Sequence, residues 1–188
     1  MAEPVASALA EHIEVARRVD KLLPKVDEVA RRLIETYEQG GRVFAFGNGG
    51  SAADAQHLAA ELIGRYKRDR RSLPAVALSV DPSVVTAIGN DYSFDDLFAR
   101  QVEGLVGPGD VVIGFTTSGR SQNVVRGLAA AQAIGATTVL FGGGDGTSTA
   151  DHELVVPSST TARVQEMHLL LMHLVLDQVD AWAAEDDS

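Results

Sequence analysis

The chain contains no cysteine, which excludes a disulfide framework, a thiolate nucleophile and any cysteine-ligated metal centre at once. That usage fits a reducing compartment, and a cytoplasmic location is expected. Positive charge is also scarce, with 16 Lys and Arg against 26 Asp and Glu for a formal net charge of −10. Binding a phosphate backbone normally requires clustered cations, so no nucleic-acid partner is expected. The one basic run, Arg65 to Arg71, is short and reads as a solvated helix end and loop. No apolar stretch approaches the ~20 residues of a membrane span. The first residues carry Glu3, Glu11 and Glu14 in place of the unbroken apolar core of a secretion signal, so no membrane partner is expected. A GxxxxGK[ST] loop is missing, and no GxGxxG is followed by the acidic residue a dinucleotide site needs, which leaves no nucleotide cofactor to expect.

What is there fits one α/β domain spanning residues 1–188, with a helical segment over about 1–40 and a core over about 41–184. Five short apolar runs read as strands: Arg42 to Phe46, Ala75 to Leu78, Asp110 to Phe115, Thr137 to Phe141 and Glu153 to Val156. They alternate with helical stretches, the pattern of a five-stranded parallel sheet flanked by helices in three layers. The segment from Val5 to Tyr37 reads as a long amphipathic helix with Leu9, Ile13, Ala16, Val19 and Leu23 on one side, broken or kinked at Pro24. Such a helix must cover something, either its own sheet or a neighbouring subunit.

Two loops leave strand ends and open helices. Phe115-Thr116-Thr117-Ser118-Gly119-Arg120-Ser121 offers hydroxyls at Thr116, Thr117, Ser118 and Ser121 where a helix N-terminus favours an anion. Without a P-loop lysine, that cradle suits a sugar phosphate better than ATP. Gly47-Asn48-Gly49-Gly50-Ser51 is the second such turn, and two loops from one sheet can surround one ligand. Gly142 to Gly146 follows the fourth strand and reads as a mobile loop, and Ser158 to Thr161 reads as a cap for the last helix or a source of hydroxyls for a sugar.

Chemistry-bearing residues fall on two helices. His57 and Glu61, at i and i+4, share a helix face and can co-ligate a metal, exchange a proton, or merely face solvent. Gln165, Glu166, His168 and His173 interrupt an otherwise apolar helix from about Ala162 to Asp180, where polar groups need partners.

Taken together, Gly47 to Ser51, Asp54 to Leu62, Gly89-Asn90-Asp91, the Thr-Ser-Gly-Arg-Ser loop and Arg163-Val164-Gln165-Glu166 with His173 resemble the phosphoheptose isomerases, a family of the sugar-isomerase (SIS) fold. The resemblance covers nearly the whole chain. It implies an aldose–ketose isomerase that converts D-sedoheptulose 7-phosphate to D-glycero-D-manno-heptose 7-phosphate through an enediolate, the first step toward ADP- or GDP-heptose. It also implies a homotetramer packed through the N-terminal helix, with Asn48, Gly49, Gly50, Ser51, Glu61, Asn90, Asp91, Thr116, Thr117, Ser118, Ser121 and Gln165 on the substrate. Glu61 and His173 would be the acid–base pair, and His57, Glu61, Gln165 and His173 would hold zinc in those relatives that carry it. Because Glu61 does not serve easily as both firm ligand and free base, zinc is read as a positioning or optional ion. One departure stands out: relatives carry Tyr-Ala-Asp-Arg where this chain reads Thr160-Thr161-Ala162-Arg163, so an acidic residue near the sugar is replaced by Ala162. The competing reading is a non-catalytic SIS protein that binds sugar phosphate or a protein partner of the replication-initiator-associating type. An etherase of N-acetylmuramic acid 6-phosphate fits less well, because the chain lacks that enzyme's extra C-terminal region.

Overall fold

The computed structural model describes residues 2–144 and 149–186. Five strands, β1 (Val43–Gly47), β2 (Ala75–Ala77), β3 (Val111–Thr116), β4 (Thr137–Gly143) and β5 (His152–Val156), form one parallel sheet in the order β2-β1-β3-β4-β5. All five expected strands are present. Successive side chains point to opposite faces. Val43, Ala45, Ile113, Phe115, Val139 and Phe141 therefore enter one core, while Phe44, Phe46, Val112 and Leu140 enter the other. Burial on both faces is why these strands read as continuous apolar runs rather than alternating ones.

Helices α1 (Ala2–Arg18), α2 (Leu23–Glu38), α3 (Gly50–Ile63) and α7 (Thr161–Asp186) cover the first face. The second face is covered by α4 (Pro82–Asp91), α5 (Leu97–Leu105) and α6 (Gln122–Ile134), which completes the three layers. Neither α4 nor α5 was foreseen, although α4 carries a start signal. Asp81 caps it by accepting from the Ser83 and Val84 N–H groups, and Pro82 sits in its first turn, where no intrahelical donor is lost.

Three expectations need correction. The N-terminal helix breaks in a 3-10 turn at Val19–Leu22, one turn before Pro24, which instead lies in the first turn of α2. The foreseen stripe is consequently split: Val19 is buried with Val15, Val26, Val29 and Leu33, whereas Leu9, Ile13 and Leu23 are 60%, 42% and 45% exposed. The basic run is not simply solvated either, because the Arg70 side chain is 1% exposed and paired to Asp180 at 3.1 Å. In the glycine-rich stretch after the fourth strand, Gly142 and Gly143 belong to β4 and Gly144 turns with φ +67°, while Asp145 and Gly146 lie outside the described residues.

Candidate active site

In a parallel sheet of order 2-1-3-4-5, the direction in which successive strands are added reverses between β1 and β3, and a crevice opens beyond their C-terminal ends. The two loops singled out from the sequence leave those two strands. They are tied by a reciprocal amide pair in which Asn48 and Asn123 each donate to the other at 2.8 Å. Asn123 is buried, and its Oδ1 also accepts the Val124 N–H at 3.0 Å. Nothing in a sequence distinguishes Asn123 from an ordinary first-turn residue, since its partner is 75 positions away.

Around this tie, Gly49 adopts φ +56°, a conformation that suits glycine and turns β1 sharply into α3. The Thr116 hydroxyl is buried and lies 3.1 Å from that of Ser121, while Ser118 Oγ accepts the Arg120 N–H at 3.2 Å. Ser121 precedes α6 without capping it through its own side chain, which leaves the positive helix end to an anion. Thr117, Ser118 and Arg120 line a cavity of about 210 Å³ together with Gly144, Ser159 and Thr161. In the Ser158-to-Thr161 segment, Ser158 Oγ accepts the Thr160 N–H in the turn before α7, and Ser159 and Thr161 line the same cavity as Thr117 and Ser118.

The remaining residues come from α3 and α7, which lie side by side and run in the same direction. Gln165 packs on Gly50 so closely that a Cβ on Gly50 would meet the Gln165 Nε2 at 2.3 Å. Two turns further, the His57 and His173 rings meet edge-on at 5.2 Å between centroids, and His57 Nε2 lies 3.1 Å from Glu61 Oε1. At the far end, Asp180 reaches the chain that follows α3. Burial pushes the His173 imidazole below its usual range, and the nearby His57 and Lys67 push the same way against the opposing Glu61 carboxylate. The net effect favours the neutral imidazole. Burial raises the Asp54 carboxyl, opposed by His57 one turn on, and its Oδ2 is enclosed without a hydrogen-bond partner.

Asn90 and Asp91 end α4, exposed to solvent, and their hydrogen bond at 2.7 Å is to each other rather than to either loop. Ser51 is buried against Gly47, where a Cβ would lie 2.7 Å from its own. His168 belongs to the core: it is fully buried and bonds the Gly142 carbonyl at 3.0 Å. Glu166 lies 2.7 Å from His12 Nδ1 and accepts from Arg163 at 2.6 Å, fastening α1 to the start of α7. Ala162, in place of an acid, is exposed on that first turn. His57, Glu61 and His173 are nitrogen and oxygen donors of the kind zinc takes. Among the described residues, however, no three His, Asp or Glu side chains are grouped as a ready-made metal centre. A cavity of about 640 Å³ opens at the opposite, N-terminal ends of β4 and β5, beside Arg32, Thr137 and His152, and contains none of the expected site residues.

Comparison with known proteins agrees with this fold. Residues 9–143 match the model of the SIS domain. The chain is 47% identical to the phosphoheptose isomerase of Aquifex aeolicus over 98% of its own length and 99% of that relative's. A solved phosphoheptose isomerase from Neisseria gonorrhoeae superposes with a TM-score of 0.89 at 41% identity, covering 96% of this chain and 98% of the other. One from Francisella tularensis superposes with a TM-score of 0.91 at 32% identity over the same shares.

Proposed function

We infer function from one premise: the chain belongs to the SIS-domain family and, within it, to the phosphoheptose isomerases. It is a sugar-phosphate isomerase that interconverts sedoheptulose 7-phosphate and D-glycero-D-manno-heptose 7-phosphate. The observation that carries a mechanism is the convergence of Glu61, on the helix that opens at the Gly47-to-Gly50 turn, and His173, on α7, upon His57.

The phosphate lies in the Thr116-to-Ser121 cradle, held by Thr117, Ser118, Ser121 and the N–H groups of α6, with Thr116 and Ser51 supporting it from beneath. Asn48, Gly49, Gly50, Asn90, Asp91 and Gln165 contact the sugar. The Glu61 carboxylate takes the proton from the carbon beside the carbonyl, and the electron pair of that C–H bond becomes the enediolate double bond. His173 gives its N–H proton to the forming oxyanion and recovers one from the neighbouring hydroxyl, after which Glu61 returns its proton to the other carbon. A neutral imidazole suits this exchange: it donates its N–H to the oxyanion as that charge develops and, as a transient imidazolate, regains a proton from the neighbouring hydroxyl. Zinc is an optional part of this proposal. His57, Glu61, Gln165 and His173 would hold it, and when bound it would polarise the carbonyl. The working form is a cytoplasmic homotetramer.

The test is NMR of metal-free and zinc-loaded protein with sedoheptulose 7-phosphate in deuterated water, beside Glu61→Gln. The expected result is aldoheptose phosphate deuterated at C2 with wild type and, in Glu61→Gln, turnover lower by at least about 10²-fold with sugar-phosphate binding retained. Binding without exchange in wild type would remove the enzyme and leave a sugar-phosphate sensor or adaptor.

A further inference from the structure

The segment between α3 and β2 holds five of the chain's 16 Lys and Arg residues, yet it is bolted down. Asp180, itself 1% exposed, accepts the backbone N–H groups of Tyr66 at 3.3 Å, Lys67 at 3.2 Å and Arg68 at 2.8 Å. Its Oδ1 also pairs with Arg70 Nε at 3.1 Å. The buried Arg70 guanidinium then donates to the last carbonyls of α3, to Glu61 O at 2.7 Å and Leu62 O at 2.8 Å. A cation at a helix C-terminus satisfies carbonyls that the helix leaves unpaired and complements its dipole. One carboxylate on α7 therefore fixes both the end of α3 that carries Glu61 and the strap that follows it.

The strap delivers one ring. Tyr66 is half-buried, and its ring centroid lies 5.3 Å from that of His173 at an interplanar tilt of 31°. On the other side of the strap, Lys67 Nζ stands 4.9 Å from the Tyr66 ring and 3.2 Å from Asp177, one turn beyond His173 on α7. His173 thus meets two rings, with His57 edge-on and Tyr66 tilted against it. No hydrogen bond of the His173 ring fixes it in the way that Gly142 fixes His168 among the described residues. Packing must set the direction of its N–H bond.

We propose that Tyr66 is a positioning residue for the reaction: its ring orients the His173 imidazole, and the buried Asp180–Arg70 pair holds Tyr66 in place. The proposal rests on the isomerase reading for its kinetic consequence, but not for its structural one. Proton transfer depends steeply on donor direction, so a freed imidazole lowers kcat while phosphate binding, which lies on the other loop, is kept.

Tyr66→Leu and Tyr66→Phe are compared with wild type by steady-state kinetics and by correlation spectra of the histidine rings in ¹⁵N-labelled protein. Tyr66→Leu is expected to lower kcat about tenfold with KM for sugar phosphate within about twofold. Its His173 correlations should broaden or split into several sets, while Tyr66→Phe restores one set and wild-type kcat. Asp180→Asn should repeat the Tyr66→Leu pattern, and because it also weakens the backbone anchor of the whole strap, the Tyr66 pair decides. Unchanged kcat in Tyr66→Leu, or lowered kcat with a single undisturbed His173 set, overturns the proposal. A wild type without turnover removes the isomerase reading, and the His173 spectra alone then decide whether Tyr66 orients that ring.

Discussion

Two histidines five residues apart on α7 have different surroundings. His173 faces α3 and the strap, where it can meet substrate. His168 is enclosed between the Phe115 and Phe141 rings, each about 6.0 Å away between centroids, and donates through Nε2 to the Gly142 carbonyl. Its Nδ1 has no partner, so a second proton would have nowhere to bond. Burial pushes the His168 pKa from 6.5 down to about 4. The sign follows from proton binding: below pH 6.5 the unfolded chain takes a proton that the folded one refuses, so stability falls as pH drops through that window and levels off near 4. The loss amounts to about 3 kcal/mol. His168→Leu should cost about 1–3 kcal/mol at pH 8, where a bond to a buried carbonyl is lost, yet flatten the decline between pH 6.5 and 4.5. Urea midpoints of both proteins at pH 8 and 5 test this, and equal slopes would refute it. The sequence marked both histidines as polar residues in need of partners, and only their neighbours separated the one enclosed in the core from the one proposed for proton transfer.

At the scale of elements, the site depends on how closely β4 and α7 approach the phosphate loop. A Cβ on Gly143 would meet the Thr117 carbonyl oxygen at 2.6 Å and Val164 Cγ1 at 2.5 Å. Gly143→Ala must therefore push the cradle or the start of α7 outward, with an overpacking cost of about 1–3 kcal/mol and a raised KM for sugar phosphate. Gly104→Ala on α5, where nothing lies within 4 Å of the new Cβ, is the control. It should be neutral or stabilising by about 0.5–1 kcal/mol. Thermal melts and KM values of the two variants check the contrast, and equal behaviour would show that the β4 edge does not shape the cradle. Strands were the most legible elements, because burial on both faces demands continuous apolar runs. Helix α4 was the least legible. It buries only Ile88, too little for an apolar stripe to reveal, and its Asp81-Pro82 start went unread. Arg70 was misread for the opposite reason: a basic residue in a basic run gives no sign that an aspartate 110 positions later will bury it.

On the scale of the whole molecule, Val5, Leu9, Ile13 and Leu23 remain exposed on the N-terminal helices, Val5 at 71%. Burying that stripe in the proposed homotetramer would remove apolar surface that the chain's own sheet does not cover. Leu9→Glu combined with Ile13→Glu is expected to yield smaller particles by light scattering after size exclusion, with helical circular dichroism retained because neither side chain enters the core. A wild type that is monomeric at micromolar concentration would refute the assembly, and an unaltered oligomer in the double variant would move its interface elsewhere. No described helix is long and apolar enough to cross a membrane.

The order of apolar runs, the two loops that open helices, and the His57–Glu61 pair were all present in the sequence, because local propensity, strand burial and i,i+4 spacing act over short distances. They were enough to indicate a parallel α/β sheet with an anion site at its edge. Tertiary structure alone decided that α3 and α7 run side by side so that Gly50 meets Gln165 and His57 meets His173, that Asn123 ties the two loops, and that Asp180 gathers the strap around Tyr66. Those pairings join residues from 75 to more than 110 positions apart, and their geometry is set by packing two helices on one face of a twisted sheet, which no local pattern encodes.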